Sequence, residues 1–203
     1  MALLAQITAP WIEDNHSIRG LQDHASVLVK ALTHFLRTTK CCQNILLCTA
    51  ALANLTAMDA KCIKYAMHEN SVKILLDRVK SRGPLTSVYL LEQVAMLLAN
   101  IAAVEYTRKQ LTQDEAPQCL LHFLQVHFGD EEAVKRLQQK AIVALSRLCG
   151  DRSAAQQVVD FDGVQKLVLL CREKKERHDN NAVLVATLVS KIAKLKIETD
   201  VDL

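Results

Sequence analysis

The chain has 203 residues, of which 50% are hydrophobic, 23% charged and 4% aromatic, and its formal net charge is +3. That length can bury a sizeable core in one or two domains. Only five Gly and three Pro exclude a turn-rich all-β fold and a low-complexity linker, and they fit poorly with Gly-rich phosphate loops.

Met1-Ala-Leu-Leu at the N-terminus is too short for a signal peptide and lacks a basic n-region. It opens a four-residue pattern, apolar–small–polar–apolar, that recurs along the chain. The pattern reads Leu4-Ala5-Gln6-Ile7, Leu52-Ala53-Asn54-Leu55, Leu98-Ala99-Asn100-Ile101, Leu145-Ser146-Arg147-Leu148 and, more weakly, Val189-Ser190-Lys191-Ile192. Successive first residues are 48, 46, 47 and 44 positions apart. That is the period of a helical repeat of the HEAT or armadillo kind, about 40–47 residues.

Each period divides into three helices. A short one is expected over residues 60–67 and a second over 72–79, with Val72, Ile74, Leu75, Leu76 and Val79 apolar. A turn follows at Ser81-Arg82-Gly83-Pro84, then a long helix over 87–104 that is apolar on most sides. Such a helix must be buried between neighbours. Its most apolar stretch, Val94 to Val104, is eleven residues and contains Asn100, too short to span a membrane. The next period predicts helices over 106–111, 117–126 and 133–149. Pro117 falls in a first turn and Gly150 suits a C-cap. The last predicts helices over 153–159, 164–171 and 182–194, with residues 172–177 a charged loop. All Gly and Pro fall at predicted boundaries. Stacked units of this kind form an all-α, α-α superhelix, an armadillo-repeat solenoid of about four repeats plus an N-terminal partial repeat. The domain reading is residues 1–17 as the end of a truncated repeat and a linker, 18–196 as the repeats and 197–203 as a tail. The opening residues look like the tail of a third helix, so exposed apolar surface is expected there.

The segment Thr49-Ala-Ala-Leu-Ala-Asn54-Leu resembles the third helix of an armadillo repeat. In that family this Asn faces a concave groove and hydrogen-bonds the backbone of an extended peptide. A narrower resemblance is carried by Leu4-Ala-Gln-Ile-Thr-Ala-Pro-Trp11-Ile-Glu-Asp-Asn-His-Ser17 and continues through Ala50–Asn54, Leu98-Ala-Asn100, Gln138–Ala141 and Asp179–Ala186. It is similar to the C-terminal armadillo region of the Inscuteable family. The resemblance implies a non-enzymatic adaptor of asymmetric cell division at the apical cell cortex. It would join the polarity complex, through a Bazooka-type scaffold, to a spindle-orientation adaptor of the Partner of Inscuteable type. The peptide used for the second contact lies N-terminal to the armadillo region in that family, and nothing in this sequence resembles it. No cofactor, nucleic acid or membrane insertion is implied.

Helical spacing places residues four, seven and eleven before the Asn position on its face. These are Ala50, Leu47 and Gln43 for Asn54, and Met96, Gln93 and Tyr89 for Asn100. They are Val143, Lys140 and Arg136 for Arg147, and Thr187, Leu184 and Asn180 for Lys191. The face runs from neutral to basic. It has no Trp one turn before the Asn, unlike importin-type repeats, which argues against basic nuclear-localisation peptides. Asn54, Asn100, Arg147, Lys140, Gln93, Met96, Arg136 and Lys191 are therefore the candidate partner groove. The basic half predicts an acidic or phosphorylated extended segment. The plainer alternative is an ordinary solvated face. Trp11 is expected at an inter-repeat corner. Asp200-Val-Asp-Leu203 is either a frayed end or a ligand for a PDZ groove. Glu92 is expected to line the groove or face a partner.

No catalytic chemistry is legible. There is no HExxH, GxSxG or GxxxxGK[ST]. The seven cysteines, an odd count with no CxxC, mostly lie in apolar helical runs and read as small hydrophobes in a reducing compartment. Mild basicity and eight aromatic residues leave nucleic-acid binding a distant alternative. A generic armadillo scaffold in adhesion or trafficking is the nearer one.

Overall fold

The structure is a computed structural model that describes residues 2–8, 23–83, 86–173 and 180–195. The readings made for Pro10, Trp11, Gly20, Pro84 and the tail lie outside the described residues. All regular structure within them is helical. The chain divides into two compact units, Met1–Ile101 and Ala102–Leu203.

Unit one holds α1 (Ala2–Ile7), α2 (Ala25–Thr38), α3 (Cys42–Met58), α4 (Ala60–His68), α5 (Ser71–Arg82) and α6 (Val88–Ala102). Helix α2 buries Ala25, Val29, Leu32 and Leu36, one stripe at helical spacing. Helix α3 has no polar side long enough to face water. Ile45, Cys48, Ala51, Leu52, Ala53 and Leu55 are buried, and α1, α2 and α4 pack around them. Helix α4 starts where Asp59 turns back to accept the Lys61 N–H at 2.8 Å. Arginines fasten α5 to the end of α2. Arg78 donates to Thr39 O at 2.8 Å, and Arg82 donates to Lys40 O at 2.8 Å. Cations belong at a helix C-terminus, where carbonyls are left unpaired.

Unit two holds a 3₁₀ turn (Glu105–Thr107), α7 (Arg108–Gln113), α8 (Ala116–Phe123), α9 (Glu131–Leu148), α10 (Arg152–Asp160), α11 (Gly163–Glu173) and α12 (Asn180–Lys194). Asp130 caps α9 through the Ala133 N–H at 2.9 Å. Asp151 caps α10 through the N–H groups of Ser153 at 2.9 Å and Ala154 at 3.3 Å. Helix α12 packs on α9 and α11, and α10 packs on α7, α8 and α11.

Several expectations shift. Helix α5 continues through Ser81 and Arg82, where the turn was expected, because Arg82 finds partners on the α2–α3 connection. The short helix expected over 106–111 begins as the 3₁₀ turn. Helix α8 stops at Phe123 rather than reaching Val126. Helix α11 runs on to Glu173, so Arg172 and Glu173 extend a helix instead of opening a loop. Gly150 is not a left-handed cap. Cys149 holds the C-cap position with φ −68°, and among the described residues the positive-φ glycines are Gly83 and Gly129. A Cβ at 150 would meet the tip of the Arg108 side chain at 2.5 Å, a flexible group that can shift aside. Gly163 is tighter: a Cβ there would collide with Val158 O and meet Val158 Cγ1 at 2.6 Å. The corner between α10 and α11 closes only on a glycine.

Candidate functional site

The predicted groove face is the solvent-open face of the third helices. On α6 the four residues that are not buried are Tyr89, Gln93, Met96 and Asn100; the other eleven are buried. On α3, Leu47, Ala50 and Asn54 are half-buried and Gln43 is exposed. The same positions on α9 give exposed Arg136 and Arg147 with half-buried Lys140 and Val143. On α12 they give half-buried Leu184 and Lys191 with exposed Thr187. Glu92 departs from expectation. It is 5% exposed, because at helical spacing position 92 lies on the flank of the open stripe rather than within it.

The third motif residue does more than face solvent. Asn100 Nδ2 donates to Ala53 O at 2.8 Å and to Thr56 Oγ1 at 3.3 Å. Asn54 Nδ2 makes the same pair of bonds one repeat earlier, to Ala5 O at 3.3 Å and Thr8 Oγ1 at 3.2 Å. In unit two, Lys191 Nζ donates to Ser146 O at 2.7 Å. Each time, the third residue of one motif reaches the carbonyl of the second residue in the motif before it. The fifth residue stands alongside: Thr8, Thr56 and Cys149. Burial pushes the Cys149 thiol up to about 12, and the Lys191 ammonium pulls the other way. The two threonines were not among the candidate residues. Their signal is positional, one place past the motif in Leu4-Ala-Gln-Ile-Thr8 and Leu52-Ala-Asn-Leu-Thr56.

Unit one thus brings Asn54, Gln93, Met96 and Asn100 onto one neutral surface with Leu47 and Tyr89. Unit two sets Arg136, Lys140 and Arg147 along α9. Beside α12 it has an open depression of about 640 Å³ lined by Val183, Ala186, Thr187, Ser190, Lys191 and Lys194. No set of three His, Cys, Asp or Glu side chains converges among the described residues. Cys48 and Cys62 are buried, and burial pushes each thiol up to about 11, which removes them as nucleophiles at neutral pH. Cys41 and Cys42 are exposed. Among the described residues no single helix is long and apolar enough to cross a membrane.

The model of the family described as Protein inscuteable C-terminal matches residues 1–201. The Protein inscuteable homolog of Mus musculus is 29% identical over 194 residues, covering 93% of the chain and 34% of the relative. That of Homo sapiens is 28% identical over the same spans. The chain therefore spans about a third of the curated relatives it matches. Among solved structures, a computationally designed armadillo repeat protein for modular peptide recognition aligns with TM-score 0.73, 19% identity and coverage of 96% of this chain and 76% of that one. The designed armadillo repeat protein YIII(Dq)4CqI aligns with TM-score 0.65 and 14% identity, covering 94% of this chain and 81% of that one. These likenesses establish the all-α armadillo-repeat fold.

Proposed function

The chain belongs to the Inscuteable C-terminal family, and from that premise we propose that it is a non-enzymatic protein–protein adaptor linking the apical polarity complex to mitotic spindle orientation. Its partner is a polarity scaffold of the Bazooka type, held as an extended segment on the open face of the third helices within a unit, α3 and α6 in unit one or α9 and α12 in unit two. The spindle-orientation adaptor of the Partner of Inscuteable type is engaged through a segment other than these residues. The protein acts in the cytoplasm and at the apical cell cortex.

The observation that supports a groove best is α6. Four open residues at helical spacing, on a helix otherwise buried, leave one continuous strip for a ligand. Tyr89 and Met96 supply adaptable apolar contact there, and Asn100 a polar one. The basic residues of α9 and α12 make the unit-two face favour carboxylates or phosphates. A pull-down with a Bazooka-type scaffold tests this. Wild type binds, and the double substitution Asn100→Ala with Arg147→Glu abolishes capture. Intact binding by the double variant would contradict the groove. A second reading, a generic armadillo scaffold in adhesion or trafficking, has the fold likeness in its favour. A partner profile free of polarity proteins would select it.

A further inference from the structure

We propose that the cleft between α2 and α4 is a second binding site, which takes a phosphorylated side chain of a partner protein. The site does not rest on the groove reading, because none of its described lining residues belongs to a third helix.

The cleft follows from how the two helices pair their apolar stripes. Helix α2 buries Ala25, Val29, Leu32 and Leu36, and α4 buries Cys62, Ile63, Ala66 and Met67. The two pack on each other, and the residues flanking the stripes are left along an open seam. Ser26, Val27 and Lys30 form the α2 side of a cleft of about 410 Å³, and Lys64, Tyr65 and His68 form the α4 side. Its charge is unbalanced. Lys30 and Lys64 are exposed, and neither makes a hydrogen bond or ion pair with a described residue. The arginines of the same unit behave differently. Arg37, Arg78 and Arg82 each donate to a main-chain carbonyl. Glu69 is the acid among the described lining residues, and its carboxylate stands 3.4 Å from His68 Nδ1 rather than against a lysine. The hydroxyls of Ser26 and of half-buried Tyr65 also have no partner among the described residues.

Two ammonium groups that share one cleft repel unless an anion joins them. A phosphorylated side chain suits the pair better than a carboxylate. It carries a charge of about −1.5 to −2 at neutral pH, with three strong acceptor oxygens. The lysines meet that charge, and the two hydroxyls can donate to the oxygens that remain. The cleft is also far larger than a phosphate group. The space left lies beside Val27, an apolar side chain that is 64% exposed. An apolar residue next to the phosphate would cover it, which a free ion cannot do. The occupant is therefore a phosphorylated protein segment with an apolar neighbour to the modified residue.

The test uses the whole chain and a peptide library with a fixed central phosphoserine and random flanks. Capture should exceed that of the matching serine and aspartate libraries by about tenfold, with apolar residues enriched beside the phosphate. Lys30→Gln and Lys64→Gln should each lower the affinity of the best captured peptide about tenfold. Thermal melting should stay unchanged, because both lysines are exposed. Asn100→Ala with Arg147→Glu, which disables the groove, should leave this capture intact. Equal capture of the phosphorylated and serine libraries, or indifference to both lysine substitutions, would overturn the site. Capture lost in the groove variant but kept in both lysine variants would place the phosphate in the groove and overturn it too. So would binding to phosphatidylserine vesicles that needs Lys30 and Lys64 and resists competition by the captured peptide, since the cleft would then read a membrane surface.

Discussion

The two units carry the same device in different chemistry. In unit one the third motif residue is an amide that bonds a carbonyl and a threonine hydroxyl. In unit two it is an ammonium that bonds the equivalent carbonyl of Ser146 and stands beside the Cys149 thiol. The backbone geometry asks only for a donor that reaches one helix back. Which donor is used sets what the open face presents: a neutral amide in one unit, positive charge in the other. The fold is thus indifferent to a choice that changes the charge of the surface.

Core substitutions at the first motif position should show the largest effects and should be alike in both units. Leu98 and Leu145 are fully or almost fully buried. Leu98→Ala and Leu145→Ala are each expected to cost about 2–5 kcal/mol in urea denaturation. A much smaller cost at Leu145 would show that the two motifs are not structurally equivalent.

Alkaline stability separates the units by their buried thiols. A thiol whose folded pKa is raised stabilises the fold below its unfolded pKa of about 8.5, and that contribution is lost as pH rises toward the folded value. Each such thiol should cost about 1.4 kcal/mol per pH unit in that window. The loss should level off near 11 for Cys48 and Cys62 in unit one and near 12 for Cys149 in unit two. Cys149→Ala should flatten the upper part of the denaturation-versus-pH curve. An unchanged slope between pH 9 and 12 would contradict the buried setting of that thiol.

Removing the ladder residues should cost less. Asn100→Ala and Lys191→Ala each delete a bond to a carbonyl, worth about 1–2 kcal/mol. The two should part company in salt. The Lys191 loss should shrink in concentrated salt because that residue carries a charge at a half-buried site, and the loss of the neutral Asn100 should not. The smallest effect belongs to the caps. Asp151→Ala should cost about 1 kcal/mol. The hydroxyl of Ser153 holds the Asp151 carboxyl below the usual carboxylate range, aided by the Ala154 and Ser153 N–H groups and by Arg108. Its contribution is present above pH 4 and fades as the pH falls below that, so the variant should lose less stability than wild type on acidification. Asp59→Ala, where one cap bond is seen, is the unit-one counterpart and should cost no more.

The repeat was legible because small–polar–apolar spacing is a direct record of helices buried on all sides but one. Tyr89, Gln93, Met96 and Asn100 follow from that spacing alone, and the structure leaves those four of α6 open. What spacing cannot show is what a side chain reaches. Thr56 looks like filler in an apolar helix, and its role depends on Asn100, 44 positions on. Lys191 reads as a surface cation until its bond to Ser146 is seen. Glu92 looks available for a partner because it is charged, and only the packing of α6 shows it turned inward. Helix α2 is hard to delimit from sequence for a local reason. His24 stands at its N-cap without a side-chain cap bond and Thr39 at its C-cap, so neither end carries a Gly, Pro or capping Asp. A cue that sequence does hold is the carboxylate after the three central motifs, Asp59, Glu105 and Asp151, at 46-residue steps. Two of these three cap the helix that follows.

The central claim is that the open face of the third helices takes the partner. The chain's four methionines make methyl NMR a direct test. Met96 lies on that face, Met67 is buried in α4, and Met58 is exposed at the end of α3. On titration with a Bazooka-type scaffold fragment, the Met96 methyl signal should shift and the Met67 and Met58 signals should stay in place. A shift at Met58 with Met96 unmoved, under conditions where the fragment binds, would put the partner elsewhere and contradict the account.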